Sequence, residues 1–259
     1  MTRVLSAEWI KVRTLPGTGW LLLGVVAVTV AVSAGASAAT SCTSSAACHP
    51  DITQLSLTGA DVGQAVVAVI AVLAVTGEYF TGMIRATLAA VPRRSVMLAA
   101  KAIVVTALAL AAGAVAALGS LLAGRLILPG QGYTPAHGYP DLSLSDPVAL
   151  RATAGTVLYL ALIALLSLGV ATAVRDAATA IGTVLGLLYL FPVLGMVVTS
   201  PGWHRHLQQI APMTAGLEIQ ASTGLSHLPA SPWAGLGVLA VWAAAALLAG
   251  GLLLRFRDA

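Results

Sequence analysis

Long apolar runs alternate with short polar ones along this chain. Six runs reach the roughly 20 residues that an α-helix needs to cross a bilayer. They are Gly19–Ala39, Leu57–Gly77, the stretch between Lys101 and Arg125, the stretch between Arg151 and Arg175, Ala177–Thr199 and Trp233–Leu254. The second is the least apolar, because Asp61 and Gln64 sit near its outer end. The fifth contains Pro192, which a membrane helix tolerates at the cost of a kink. The pattern predicts an all-α polytopic membrane protein, with residues 1–259 forming one transmembrane domain.

The segment Thr2–Thr14, within residues 1–16, has a different rhythm. Leu5, Trp9 and Val12 fall at i, i+4 and i+7, with Arg3, Lys11 and Arg13 around them. One apolar stripe on an otherwise charged helix predicts an amphipathic helix lying in the membrane interface. Pro16-Gly17 then supplies an elbow into the first span. A plain charged flank is the simpler alternative. A signal peptide would need an apolar run from Trp20 to Val32 and cleavage near Ala36–Ala38. The long polar lead and the five later spans argue against it.

One charged interruption stands out, EYFTGMIRATLAAVPRRSVMLAAK from Glu78 to Lys101. Four of its five charges are basic: Arg85, Arg93, Arg94 and Lys101. Short cytoplasmic loops collect Lys and Arg. With the N-terminus inside, ten basic residues lie on the cytoplasmic side and three, Arg125, Arg151 and Arg205, lie outside. Both termini are therefore expected in the cytosol. The core of the loop, Thr81–Val91, is helix-compatible and stops at Pro92. The outer loops are Thr40–Thr53, Pro129–Pro147 and Ser200–Pro232. The last has a helix-compatible run near Ala211–Gln220.

Composition narrows the class. Charged residues make up 8% of the chain and hydrophobic ones 58%, against about 25% charged in soluble domains. Mean hydropathy is +0.94. The net charge of +4 is explained by helix-end positions and not by nucleic-acid binding, since no basic stripe with interleaved aromatics is present. The chain has two lysines, Lys11 and Lys101. Neither follows a glycine-rich turn, so ATP is not expected to bind here through a phosphate loop. No HExxH or GxSxG appears, and no paired carboxylates lie mid-span where ion coupling would place them. No catalytic or metal-binding residue is assigned. All five histidines (His49, His137, His204, His206 and His227) fall in outer loops. His204 and His206 would point about 200° apart on a helix, so ordinary polar loop residues are the simpler reading. Cys42 and Cys48 share one outer loop, where an oxidising compartment favours a disulfide; two free thiols are the alternative.

Two motifs carry a resemblance. The opening SAEWIKVRTLPGTGWLLL, Ser6 to Leu23, resembles the start of actinobacterial ABC transporter permeases of the ABC-2 exporter type. The 78–101 stretch resembles the first cytoplasmic loop of the same family at Glu78, Tyr79, Gly82, Ile84, Arg85, Thr87, Leu88, Pro92, Arg93, Arg94, Ala100 and Lys101. Phe80 departs from the family's frequent Arg or Thr.

The resemblance implies a bacterial cell-membrane subunit that pairs with a second permease chain, as homodimer or heterodimer. Each chain would bind a separate ATPase subunit carrying ATP and Mg. It makes the N-terminal helix a connecting helix and Thr81–Val91 a coupling helix docked on the ATPase. The contact would use Glu78, Tyr79, Gly82, Arg85, Thr87, Leu88, Pro92, Arg93 and Arg94. It also implies short helices in residues 200–232, and a route lined by the first, second and fifth spans. Apolar walls suit an amphipathic or hydrophobic cargo such as an antibiotic, a peptide or a lipid-like molecule. A non-transporting membrane sensor or scaffold, and a membrane-embedded lipid enzyme, are the alternatives from other classes.

The basic asymmetry sets the first testable outcome. In a background lacking Cys42 and Cys48, an impermeant thiol reagent added outside should label Ser44→Cys and not Ser95→Cys. The reverse pattern would invert the topology.

Overall fold

The computed structural model describes residues 2–14, 16–42, 50–83, 93–139, 142–197 and 200–256. They are all-α, with six helices long and apolar enough to cross a membrane. An interfacial helix, α1 (Thr2–Thr14), precedes the first span, α2 (Pro16–Ala39). The second span is built from α3 (Ile52–Leu57) and α4 (Ala60–Phe80). Then follow α5 (Arg94–Ile127), α6 (Pro147–Val174) and α7 (Ala177–Val197). Two short helices, α8 (Pro201–Ile210) and α9 (Pro212–Leu217), lead to the last span, α10 (Pro232–Phe256).

The apolar runs place the spans, but the second and third start earlier and end later than expected. The second span begins five residues before Leu57, with its first turn split off at Thr58–Gly59. A Cβ at Gly59 would lie 1.8 Å from the Thr29 carbonyl oxygen. Only glycine therefore allows α2 to approach so closely, and the Ser33 hydroxyl accepts the Gly59 N–H at 3.0 Å. The third span starts at Arg94, seven residues before Lys101. Lys101 does not end the apolar span because its charge is neutralised inside the fold, as described below.

The helix α6 lies at the centre. Its span is 61% buried, whereas those of α7, α2 and α10 are 17–22% buried and present broad apolar faces outward. Lipid tails are as apolar as leucine, so helices in a membrane associate by close packing more than by hydrophobic burial. The contact of α6 with α10 shows how. Gly169 abuts the backbone at Ala246–Leu247, and Gly250 abuts the Gly169 carbonyl. Some polar groups pair across the bundle. The Tyr159 hydroxyl, fully buried, donates to Gln64 Oε1 on α4. Gln220 donates to the Thr156 hydroxyl at 3.2 Å.

Between α7 and α10 the chain turns back into the bundle. The Trp242 indole N–H donates to the Ile210 carbonyl at 2.9 Å. Trp242 lies ten residues into α10, so the elbow between α8 and α9 sits about 15 Å along that helix. Pro212 begins α9 where its missing N–H costs nothing. The run expected near Ala211–Gln220 is thus α9 and the 3₁₀ turn Glu218–Gln220. The helix α8 lies within residues 200–232, where the resemblance implies short helices, although the residue pattern marks only Ala211–Gln220. At this end Asp51 caps α3 and also accepts bonds from Ser222 and Thr223, which ties the start of the second span to the chain leaving α9.

Replacing Gly169 by Ala should force α6 and α10 apart. Thermal unfolding in detergent is expected to show a loss of about 1–3 kcal/mol. Gly182→Ala, whose added Cβ meets nothing within 4 Å, should show no loss.

Candidate functional site

The candidate site is at the end of the bundle where α4 stops and α5 starts. Glu8 and Lys11 lie three residues apart, hence on one face of α1. Glu78 is in the last turn of α4, and Lys101 is two turns into α5. The four side chains meet. The Lys101 ammonium donates to Glu8 Oε2 at 2.8 Å, Glu78 Oε1 at 2.9 Å and the Ala74 carbonyl at 2.9 Å. These bonds use all three of its donors. Lys11 donates to Glu8 Oε1 at 2.8 Å and to Glu78 Oε1 at 2.7 Å. Glu8, Glu78 and Lys101 are buried, while Lys11 reaches solvent.

Two carboxylates and two ammonium groups sum to zero charge, which is the condition for burying any of them at tolerable cost. Burial alone would push the Glu8 carboxyl up, but Lys101 and then Lys11 outweigh it and hold the group below its ordinary range. Burial likewise pulls Lys11 down, and its bonds to Glu78 and Glu8 hold it above the usual lysine value.

The cluster braces three elements at once. Glu78 and Lys101 are the two stems of the loop between α4 and α5, and α1 is clamped across both. Two arginines extend the bracing to the last span. Arg94 donates to the Leu254 carbonyl. Arg175, in the two-residue link between α6 and α7, donates to the Leu253 carbonyl at 3.5 Å and lies 5.5 Å above the Tyr79 ring.

Each residue expected at an ATPase contact has a definite place or lies outside the described residues. Glu78 points into the bundle and not toward the loop surface. Tyr79 is half-buried under Arg175, and Gly82 takes a left-handed turn, φ +70°, just after α4. Arg93 is exposed at the start of α5, beside Arg94. Ile84, Arg85, Thr87, Leu88 and Pro92 lie outside the described residues, as does most of the Thr81–Val91 helix. Cys42 is disulfide-bonded, and the other cysteine, Cys48, lies outside the described residues. On α1, Trp9 and Ile10 are exposed while Glu8 is buried. The helix is therefore held to the bundle by its charges, with much of its apolar side left uncovered.

Sequence reasoning assigned no role to Glu8, Lys11 or Lys101 in a cluster. A signal was present: both lysines of the chain belong to it. Among the described residues, no three His, Cys, Asp or Glu side chains are grouped to hold a metal ion. His204 contacts the Gly195 carbonyl oxygen at 2.9 Å and the Gln208 amide at 3.0 Å. No protein-family model matches the chain, and no curated protein matches it.

Removing one partner strands buried charge. Lys101→Met takes the buried ammonium from Glu8 and Glu78 and is expected to cost about 3–5 kcal/mol; Lys11→Met, at the solvent edge, should cost less. Because the Glu8 carboxyl is lowered from 4.5, its contribution is full above that value. It is lost as pH falls through the folded value. Acid titration of thermal stability in detergent should show this loss in the wild type and a smaller one in Glu8→Gln.

Proposed function

We propose that this chain is the permease subunit of an ATP-driven exporter of the ABC-2 type. It works with a separate ATPase subunit that binds ATP and Mg, and with a second permease chain. The observation that supports this reading most is the Glu8–Lys11–Glu78–Lys101 cluster. In a chain with so few charges, four are used to bind the interfacial helix to both stems of the one long basic loop. A push on that loop would move α1, α4 and α5 as one body. A loop that transmits force needs such a brace, whereas a loop serving only as a topology signal does not.

The rest of the molecule fits the same reading. The sequence carries no phosphate-loop motif, which fits an energy source on a partner chain. The broad outward faces of α2 and α7 suit lipid and a second permease chain. A largely apolar interior suits an amphipathic or hydrophobic cargo. The basic end, with Arg93 and Arg94 beside the loop, is the cytoplasmic end by the positive-inside rule. There it can make charge-assisted contacts with an ATPase groove.

Coexpression with a candidate ATPase tests the proposal. The wild-type chain should copurify with the ATPase and stimulate its hydrolysis when cargo is present in reconstituted vesicles. Arg85→Glu should insert normally but lose most of both, since one charge-assisted hydrogen bond contributes roughly 1.5–3 kcal/mol and the reversed charge adds repulsion toward an acidic partner. Arg205→Glu, exposed on α8 at the opposite end, is the control and should keep both. Equal coupling by the Arg85 variant and wild type would return the basic loop to a topology signal.

A further inference from the structure

A second feature lies at the same end of the bundle and has no part in the ion cluster. Between the last two turns of α4 and the link from α6 to α7 there is a cleft of about 400 Å³. This volume is in the range of small-molecule pockets. Leu73, Thr76, Tyr79, Phe80, Arg175 and Asp176 line it. Leu73 and Phe80 are exposed, Phe80 at 94%. One wall of the cleft is therefore apolar and faces where the bilayer must be, while its other wall carries one cation and one anion.

Three observations point to an occupant. First, Arg175 ends α6 in the left-handed region, φ 68°, and is the only non-glycine residue with positive φ among the described residues. Glycine is the ordinary residue at this position, and an L side chain there costs roughly 1–2 kcal/mol. At that cost the guanidinium is set on the cleft wall, where it also reaches the Leu253 carbonyl and lies over the Tyr79 ring. Second, the Tyr79 hydroxyl is buried and has no hydrogen-bond partner among the described residues. A buried hydroxyl left in that state is costly. Third, Asp176 is locked in place beside Arg175. Its Oδ2 accepts the Thr179 hydroxyl at 2.7 Å and the Thr179 N–H at 2.8 Å, and those bonds hold its carboxyl below the usual range. The carboxylate is charged at neutral pH and lies on the same cleft wall as Arg175, one residue after it.

We propose that this cleft binds the headgroup of a phosphatidylethanolamine-type phospholipid from the adjoining leaflet. The phosphate is bound by Arg175 and the Tyr79 hydroxyl, the amine is bound by Asp176, and an acyl chain lies along Leu73 and Phe80. Arginine forks match phosphate geometry, and basic pockets between membrane helices are established headgroup sites. The fixed carboxylate selects within that class. It repels a headgroup carrying extra negative charge and binds one that offers N–H donors. Free phosphate would leave the apolar wall to water. The assignment stands apart from the transport reading, since it needs only that the chain spans a membrane.

Lipid retention read by native mass spectrometry tests it. Full-length protein is purified from bilayers made of equal parts dioleoyl phosphatidylethanolamine and dioleoyl phosphatidylcholine, which share the phosphate but differ in N–H donors. Wild type should retain the ethanolamine lipid over the choline lipid by roughly tenfold, the effect of one charge-assisted bond. Arg175→Gly, which also relieves the left-handed backbone, should lose both lipids while staying folded. Asp176→Asn should lower ethanolamine retention to the choline level and leave choline retention unchanged. Equal retention of the two lipids by wild type would overturn the proposal, and so would wild-type retention by Arg175→Gly. Displacement of the lipid by millimolar soluble phosphoethanolamine would overturn it as well, because it would identify a site for a free phosphoester.

Discussion

Placing an ammonium group inside an apolar bundle is the most demanding act of this fold. Water solvates an isolated charge so well that moving it to a medium like a protein interior costs several kcal/mol even after relaxation. Lys101 is accommodated because two carboxylates and a backbone carbonyl reach all three of its N–H groups. Those carboxylates come from different elements, so the requirement of one side chain organises three helices. The small-residue packing of α6 on α10 sets how close the helices lie. The ion cluster determines which partners meet at this end, because no apolar contact discriminates between similar Ala- and Leu-rich helices as sharply as an unpaired charge would.

The two ends of the bundle are built differently. At the basic end the bonds are ion pairs that bridge the stems of a loop. At the opposite end, Asp51 gathers the start of the second span and the exit from α9 through backbone N–H and hydroxyl donors. The returning segment fills the space between α7 and α10. One end is therefore held by side-chain charge, and the other by hydrogen bonds to the short helices that return into the bundle.

Apolar runs made the six spans legible in the sequence, because run length is a local property and the bilayer imposes it directly. Their ends were less legible. Lys101 reads as a terminator by its own chemistry, and only the arrival of Glu8, 93 positions away, makes it an interior residue. Glu78 reads as a surface acid of a cytoplasmic loop for the same reason. The helix α8 is short, and its His, Arg and Gln content reads as loop. What anchors its far end is the Trp242–Ile210 bond, which no local pattern encodes. Arg175 gives no sequence sign of a left-handed backbone, since glycine, the residue that would signal it, is absent.

The sequence distances within the cluster have a consequence for how the protein is made. The helix α1 leaves the ribosome before the spans it binds, yet its binding surface does not exist until Glu78 and then Lys101 have been synthesised and the third span has entered the bilayer. Until then neither Glu8 nor Lys11 can reach its partners on α4 and α5. The helix α1 is therefore translated ahead of α4 and α5 but finds its place only after both. A nascent chain halted before Lys101 would carry α1 undocked at the membrane surface, and a chain extended past it would lock α1 down, so this contact records how far biogenesis has proceeded.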